Sequence, residues 1–135
     1  MDLTLSHGLG RAFGNELGAA LTAGAGVAGG TLPPQRYWFL GGLHSIRGES
    51  PGAYAGNSYW LSHLELGRGS VAARRVVFAD VGWAGDRNSW NAIGRPASGV
   101  GIGLSFLDGL MRVDLARGLY PKKQWRFGTY LEARF

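Results

Sequence analysis

The sequence predicts an all-β fold: the carboxy-terminal portion of an antiparallel transmembrane β-barrel, with about seven strands and a long inward-folded loop. Three observations carry this prediction. Glycine accounts for 24 of the 135 residues, and glycine weakens helix interiors. Apolar side chains alternate with small or polar ones at period two along most of the chain, as in strands with two unlike faces. No apolar run approaches the roughly 18 residues that a membrane helix needs.

Composition excludes several classes of function. The chain contains no Cys, which excludes disulfides, thiolate metal sites and cysteine nucleophiles. Hydrophobic residues make up 45% and charged residues 17% of it, so the chain is not disordered. The formal net charge is +5, but the arginines are scattered and no aromatic stacking run accompanies them. We therefore expect no nucleic-acid partner.

Seven segments show the alternation, the first of them weakly. In residues 99–107 four apolar side chains share one face, while the other face holds Gly and Ser. Asp108 and Gly109 follow, a dipeptide that favours a tight hairpin because it accepts positive φ. The predicted strands are residues 3–9, 17–27, 58–66, 76–83, 99–107, 111–119 and 126–135.

The two faces of these strands suit different surroundings. One face is apolar, and the other carries Gly, Ser and isolated Arg, Asp and Glu. An apolar face suits lipid, and a crowded polar face suits the water-accessible lumen of a barrel. Aromatic residues near the strand ends resemble an interfacial girdle, with ordinary core packing as the alternative. They are Tyr59, Trp60, Trp83, Trp90, Tyr120 and Trp125. A soluble β-sandwich is the competing fold.

The lengths of the connections predict an orientation. The predicted connections are residues 10–16, 29–57, 67–75, 85–98, 108–109 and 120–125. If the last residue is periplasmic, the two longest connections lie outside the cell, as outer-membrane barrels prefer. Seven strands then leave the first residue outside, whereas bacterial single-chain barrels have even strand numbers. We therefore expect residues 1–135 to be the carboxy-terminal part of a larger barrel, with upstream strands and periplasmic domains absent from this chain.

Two motifs point to a protein family. The long connection contains Gly41-Gly42 followed by Ile46-Arg47-Gly48. A later strand contains Phe78-x-Asp80-x-Gly82. Over residues 36–135 the chain resembles the BamA/TamA superfamily of outer-membrane assembly and secretion barrels, the bacterial surface antigen family. That family carries a Gly-Gly and Val/Ile-Arg-Gly-aromatic motif in a loop folded into the lumen, a Phe-x-Asp-x-Gly strand and a carboxy-terminal aromatic residue. Glu49 departs from the pattern, because the family usually has the aromatic there.

The alternation places candidate partners for this loop on the polar face. The inward-facing candidates are Glu65, Phe78, Asp80 and Gly82. The resemblance implies that the loop brings the Arg47 guanidinium to Asp80 and Glu65, where a charge-assisted pair in a poorly hydrated lumen is strong. The ring of the motif's Phe would pack on the guanidinium. The alternative is a solvated Arg47, with Asp80 paired to Arg112 or Arg126.

The last predicted strand ends in an aromatic residue. Phe127, Leu131 and Phe135 lie on its lipid face. The resemblance implies a recognition signal for the barrel assembly machinery, read by strand addition. The alternative is an edge strand that completes the sheet. Elsewhere the three His residues lack metal-ligand spacing and no Gly-x-Ser-x-Gly elbow occurs, so we expect no metal, no cofactor and no catalytic residue.

The resemblance implies a function by binding rather than by catalysis. It implies an outer-membrane protein of a Gram-negative-type bacterium, or of a related organelle, that assists insertion or translocation of outer-membrane or secreted proteins. The first and last strands of such barrels form a weak seam that templates incoming strands. The expected partners are outer-membrane lipid, client proteins and the barrel assembly machinery. The alternative is the barrel anchor or export domain of a self-secreting lipase-like fusion.

Overall fold

The structure is a computed structural model that describes residues 2–13, 17–30, 33–70, 72–92, 94–107 and 109–131. The described residues form nine strands and two short 3-10 helices. The strands are β1 Asp2–Phe13, β2 Leu17–Ala28, β3 Trp38–Leu40, β4 Tyr54–Gly56, β5 Ser58–Gly69, β6 Ala73–Gly85, β7 Ala97–Phe106, β8 Met111–Tyr120 and β9 Trp125–Leu131, and the 3-10 helices are Pro34–Arg36 and Arg87–Ala92. No helix in this described part of the chain is long and apolar enough to cross a membrane.

Seven of the strands form one antiparallel sheet. Their order is β1-β2-β5-β6-β7-β8-β9, so each strand pairs with its neighbours along the chain, and β3 pairs with β4 in a separate two-stranded sheet. The predicted all-β, antiparallel fold is confirmed. The described sheet is not closed: β1 and β9 are its edges, and closure into a barrel stays a prediction. Because all six pairings are antiparallel, β1 and β9 run in the same direction.

Several strands are longer than the sequence predicts. The predicted connection 67–75 is wrong, because β5 continues to Gly69 and β6 begins at Ala73, with Arg68 paired to Arg75. Ladder hydrogen bonds are made by the backbone, so a change from apolar to charged side chains does not end a strand. For the same reason β1 continues through the first half of the predicted connection 10–16 and ends at Phe13.

The remaining connections differ by smaller amounts. The predicted connection 85–98 is shorter, since β6 ends at Gly85 and β7 begins at Ala97. The predicted two-residue turn is a four-residue connection, residues 107–110, because Phe106 pairs with Met111. Its Asp108 lies outside the described residues. The predicted bounds of the long connection, 29–57, are confirmed, but the sequence analysis missed β3 and β4 within it.

The two faces of the main sheet have opposite character. One face leaves large apolar side chains 37–73% exposed along its whole length, among them Leu21, Leu64, Val77, Ile102, Leu115 and Leu131. The other face is covered over its central strands, where Phe78, Asp80 and Asp114 are at most 4% exposed. A water-soluble domain buries its apolar face, so this sheet has the inverse arrangement.

The long connection 29–57 folds back onto the polar face of β5 to β9, as predicted for the inward-folded loop. Leu40, Ile46 and Ala97 form a small buried core between the loop and the sheet. The partly buried side chains that surround this core are Tyr54, Tyr59, Leu61 and Ala84. The Trp38 ring lies 5.1 Å from the Tyr59 ring. The core of the molecule therefore lies between the loop and the polar face of β5, β6 and β7.

Candidate functional site

Residues 41–50 form a compact turn that presents Arg47 to the sheet. The backbone N–H of Gly42 donates to the carbonyls of Ile46 and Glu49 at 3.2 and 3.1 Å. The backbone of Gly48 has φ +102°, which L side chains rarely adopt, and an added Cβ would collide with the backbone of Gly118 in β8. Glycine at position 48 therefore allows the turn to lie directly against the sheet.

Arg47 and Asp80 form a buried, multiply hydrogen-bonded pair. The Nε and Nη2 atoms of Arg47 donate to Oδ2 and Oδ1 of Asp80 at 2.8 and 2.6 Å, and the backbone N–H of Arg47 donates to Oδ2 at 3.0 Å. Arg47 is 4% exposed and Asp80 is 2% exposed. A forked pair of this kind has the geometry in which arginine and carboxylate interact most strongly.

Glu65 links this pair to a second arginine. Arg47 Nη1 donates to Glu65 Oε1 at 2.5 Å, and Arg112 Nη1 and Nη2 donate to Oε2 and Oε1 of Glu65 at 2.9 and 2.8 Å. Arg112 Nε donates to Asp114 Oδ1 at 2.9 Å. Asp114 Oδ2 lies 3.7 Å from Arg47 Nη1. We call Arg47, Glu65, Asp80, Arg112 and Asp114, with His63, the Arg47 network.

His63 and Phe78 complete the surroundings of the guanidinium. His63 Nδ1 lies 2.9 Å from Asp80 Oδ1. The Arg47 Cζ atom lies 3.6 Å from the centroid of the Phe78 ring, within the range of a cation–π contact. Opposite this ring β7 carries Gly101, where an added Cβ would collide with Phe78. A small residue there provides the room that the ring and the guanidinium occupy.

The network holds two arginines against three carboxylates. Burial disfavours the charged form of Arg47, but the hydrogen bonds and charges of Asp80 and Glu65 outweigh burial and raise the pKa of the guanidinium. The arrangement holds a cationic loop residue in place and offers no nucleophile with an adjacent base. Among the described residues, no cluster of three or more His, Cys, Asp or Glu side chains is placed to hold a metal ion.

Other predicted loop residues also lie at this site. Ile46 is fully buried, and an added Cβ on Gly82 would lie 3.4 Å from its Cδ1 atom. Gly41 has φ +108° and its N–H donates to Ser45 Oγ at 2.6 Å. Gly42 is buried against Pro51. The structure thus brings the loop motif and the strand motif into one site.

The alternative partners considered for Asp80 have other roles. Arg112 pairs with Glu65 and Asp114, and Arg126 Nη2 donates to Ser50 Oγ at 2.6 Å. Sequence analysis did not assign Asp114 or His63 to the site, and it named Arg112 only as an alternative partner of Asp80. A signal for them existed, since the alternation already placed these side chains on the polar faces of their strands.

A second group of contacts joins the loop to the last strand. Every second residue from Gln124 to Tyr130 contacts the loop. Gln124 Nε2 donates to the Gly48 carbonyl at 3.0 Å, and Leu43 covers Gly128 so closely that an added Cβ would collide. The ring of His44 lies 5.6 Å from that of Tyr130. We call these contacts, with the Arg126 hydrogen bond to Ser50, the β9 brace. The sequence analysis missed it.

Glu49, the residue that departs from the family pattern, is 1% exposed. Burial and the negative charge of Glu49 raise the pKa of the Tyr54 hydroxyl. A cavity of 180 Å³ beside Glu49 is also lined by Asp114 and Arg126. Within the described residues, Glu49 Oε1, Asp114 Oδ2 and Arg126 Nε have no hydrogen-bond partner. The lining of the cavity therefore contains unpaired acceptors and an unpaired donor, whereas the contacts between Arg47 and Asp80 are fully paired.

The residues of the predicted carboxy-terminal signal lie apart from this site. Phe127 and Leu131 project from the outward face of β9 and are 71% and 73% exposed. Phe135 lies outside the described residues. The aromatic residues predicted as a girdle lie at the end of the sheet where the long connection 29–57 is attached, and Trp83 and Trp90 make an edge-to-face contact there at 5.7 Å.

Comparisons with known proteins bear on the fold. No family model matches the chain, and no curated protein matches it. The solved structure of CdiB from Acinetobacter baumannii is similar, with a TM-score of 0.73 and 22% sequence identity. The match covers 95% of this chain and 26% of the CdiB chain. This chain therefore spans about a quarter of the length of CdiB and has the fold of that part of it.

Proposed function

We propose that this chain is part of an outer-membrane β-barrel that carries other proteins across the outer membrane or into it, without catalysis. The observation that carries the proposal is the inward loop with Arg47 buried on Asp80, next to a last strand whose outer edge is unpaired among the described residues. The similarity in fold to CdiB supports the barrel that this proposal requires.

The membrane location is supported by the surface of the sheet. Its outward face exposes Leu, Val, Ile or Phe side chains on β2 and on each of β5 to β9, and the charged side chains of the network lie on the covered face. Such an apolar face is most stable in contact with lipid, and transmembrane barrels place apolar side chains outward and polar ones inward. We place this surface in the outer membrane of a Gram-negative-type bacterium.

The direction of the edge strands supports a larger barrel. Strands β1 and β9 run in the same direction, so pairing them with each other would require one parallel ladder among antiparallel ones. An odd number of further strands between them would close the sheet with antiparallel pairs alone, which gives the even strand number of bacterial single-chain barrels. We propose that residues 1–135 are the carboxy-terminal part of such a barrel.

The mechanism that we propose is strand pairing. In the closed barrel the outer edge of β9 meets the first strand at a weak seam. When the seam parts, a β-strand of a client protein satisfies the backbone N–H and C=O groups of this edge by adding to it. The β9 brace holds the strand from its inward side, which leaves the edge accessible. The outward side chains Trp125, Phe127 and Leu131 match the apolar face of an incoming membrane strand.

The test replaces Arg47 in the full-length protein. We expect Arg47→Ala to leave the barrel in the membrane and to lower the amount of client proteins in the outer membrane or the medium at least tenfold. The reason is that losing one partner of a buried ion pair costs about 3–5 kcal/mol, enough to undock the loop. Quantitative mass spectrometry of both fractions, against a strain depleted of the protein, identifies clients and measures the loss.

The control is Arg87→Ala, since Arg87 is exposed in the 3-10 helix between β6 and β7. It should leave every client at its normal level. Two results contradict the proposal: client levels that depletion of the protein does not change, or normal client levels in Arg47→Ala with an unprotected, protease-sensitive loop.

A further inference from the structure

Basic side chains are grouped where β8 and β9 meet, at the end of the sheet that carries the long connection 29–57. Arg117 in β8 pairs in register with Trp125 in β9, and its Cζ atom lies 5.3 Å from the centroid of the Trp125 ring. Lys122 and Lys123 lie in the connection between the two strands. This connection runs close to Gly118, where an added Cβ would collide with the Lys122 carbonyl.

Arg95 adds a further positive charge from the connection between β6 and β7. Its Cζ atom lies 4.6 Å from the centroid of the ring of Tyr120, the last residue of β8. Arg95 and the three basic residues near Trp125 are all exposed. Among the described residues, none of these four side chains forms an ion pair or a hydrogen bond. We call Arg95, Arg117, Lys122 and Lys123, with Trp125, the basic rim.

The carboxylates that the structure describes at this end of the sheet are engaged elsewhere. Glu49 is 1% exposed beneath the loop on the covered face. Asp86 accepts from the backbone N–H of Asn88 at 2.7 Å within the connection between β6 and β7. In the described part of the chain the charge of the basic rim is therefore not neutralised by carboxylate contacts, and it is available to an anionic ligand.

The basic rim borders the apolar outward face of the sheet. Leu115 and Leu119, two residues to either side of Arg117, are both exposed, and Phe127 follows Trp125 on the outward face of β9. Tryptophan is enriched at the level of the lipid headgroups, and an arginine on the lipid face of a barrel is tolerated best near the interface. The basic rim therefore has the composition of the headgroup level, with hydrocarbon next to it.

We infer that the basic rim binds the phosphate groups of a bisphosphorylated glycolipid of the outer leaflet, such as lipid A. Guanidinium groups bind phosphate oxygens by paired hydrogen bonds, and lysine binds them as a point charge. The acyl chains of the same lipid cover the apolar side chains next to the rim. The inference rests on the membrane location in the proposed function and on the predicted orientation, which places the long connections outside the cell.

The number of charges favours a ligand with more than one phosphate. A phosphate monoester carries a charge of roughly −1.5 to −2 at pH 7, so two of them match the four positive charges of the basic rim. A phospholipid with a single phosphodiester carries a smaller charge and leaves part of the rim unpaired. A free phosphate ion also leaves the neighbouring apolar face uncovered.

The experiment measures lipid retention by native mass spectrometry. The full-length protein in detergent micelles is mixed with diphosphoryl or monophosphoryl lipid A, and the retained lipids are counted. We expect preferential retention of the diphosphoryl form. Arg117→Gln should lower it about fivefold, because one basic side chain at an anionic lipid surface accounts for roughly that factor.

The matched control is Arg75→Gln. Arg75 is also an exposed arginine of the main sheet, but it lies near the start of β6, at the end of the sheet with the short turns. We expect this variant to retain lipid A normally. A loss in Arg75→Gln equal to that in Arg117→Gln would overturn the inference, because retention would then follow total charge and not the basic rim.

A second variant tests the connection between β8 and β9. Replacing Lys122 and Lys123 together by Gln changes exposed side chains outside the strands, and it should lower retention of diphosphoryl lipid A about twentyfold. Millimolar inorganic phosphate should not displace the lipid.

The remaining outcomes separate this inference from the proposed function. Equal retention of the two lipid A forms, unchanged retention in the double Lys variant, or full displacement by inorganic phosphate would overturn the inference while leaving the membrane location intact. A protein that stays monodisperse without detergent and retains neither lipid would overturn the membrane location itself.

Discussion

The loop of residues 41–50 is attached to the sheet at two places that differ in how completely their polar groups are paired. At the Arg47 network every nitrogen of the guanidinium and the backbone N–H of Arg47 donate to carboxylates. At the β9 brace two hydrogen bonds and two side-chain packing contacts hold the strand. Beside the brace lies the 180 Å³ cavity, where Glu49, Arg126 and Asp114, the member of the Arg47 network that lines this cavity, each have an atom without a hydrogen-bond partner among the described residues.

The difference predicts a strong attachment of the loop at the Arg47 network and a weaker one at the β9 brace. Breaking one side of a buried ion pair costs about 3–5 kcal/mol, whereas an ordinary hydrogen bond contributes about 0.5–1.5 kcal/mol. A polar cavity of this size has room for water molecules that replace a broken protein hydrogen bond. We therefore expect the Arg47 network to decide whether the loop is docked and the β9 brace to decide how firmly the edge strand is held.

The largest effect is expected where the network is most buried. Asp80→Ala removes the partner of three Arg47 donors and leaves that cation in a dry site, so we expect a loss of about 3–5 kcal/mol in the free energy of unfolding. Glu65→Ala should cost less, about 1.5–3 kcal/mol, because the Glu65 side chain is 28% exposed. Urea unfolding in lipid vesicles and protease cleavage within residues 29–57 measure both. Equal losses would contradict the contrast between a dry and a hydrated partner.

An intermediate effect is expected at the glycine of the loop turn. Gly48→Ala adds a Cβ at φ +102° that collides with Gly118, so backbone strain of about 1–3 kcal/mol is joined by a steric clash. The matched control is Gly30→Ala, because Gly30 has φ +87° and an added Cβ would meet nothing within 4 Å. The difference in unfolding free energy between the two variants isolates the clash. If the two variants are equally stable, the loop does not need close contact with β8.

The smallest effect is expected at the brace. Ser50→Ala removes the hydroxyl that accepts from Arg126, which should cost about 0.5–1.5 kcal/mol and speed hydrogen exchange of the β9 amides without exposing the Arg47 network. Ser62→Ala is the control, since Ser62 lies in β5 on the face away from the loop. Faster exchange throughout β5 and β6 as well as in β9 would show that the two attachments are not independent.

The fold was predictable from the sequence to the extent that it depends on local geometry. Successive side chains of a strand point to opposite faces, so the spacing of Phe78, Asp80 and Gly82 was enough to place them together on the polar face. Strand ends were less predictable, because the ladder continues through Arg68 and Arg75 without regard to side-chain polarity. The short pairing of β3 with β4 depends on how the loop folds back, and its three-residue strands have no periodicity to detect.

The sequence by itself determined which side chains share the polar face and where the long loop begins and ends, and the family resemblance implied that Arg47 meets the Asp80 motif. Only the tertiary structure decided which inward groups meet. Arg112 reaches Glu65 across 47 residues of chain, and Gln124 reaches Gly48 across 76. Contacts of this kind depend on the register of neighbouring strands and on the path of the loop across the sheet. Alternation specifies the face of a residue but not its partner, because it contains no information about distance between strands.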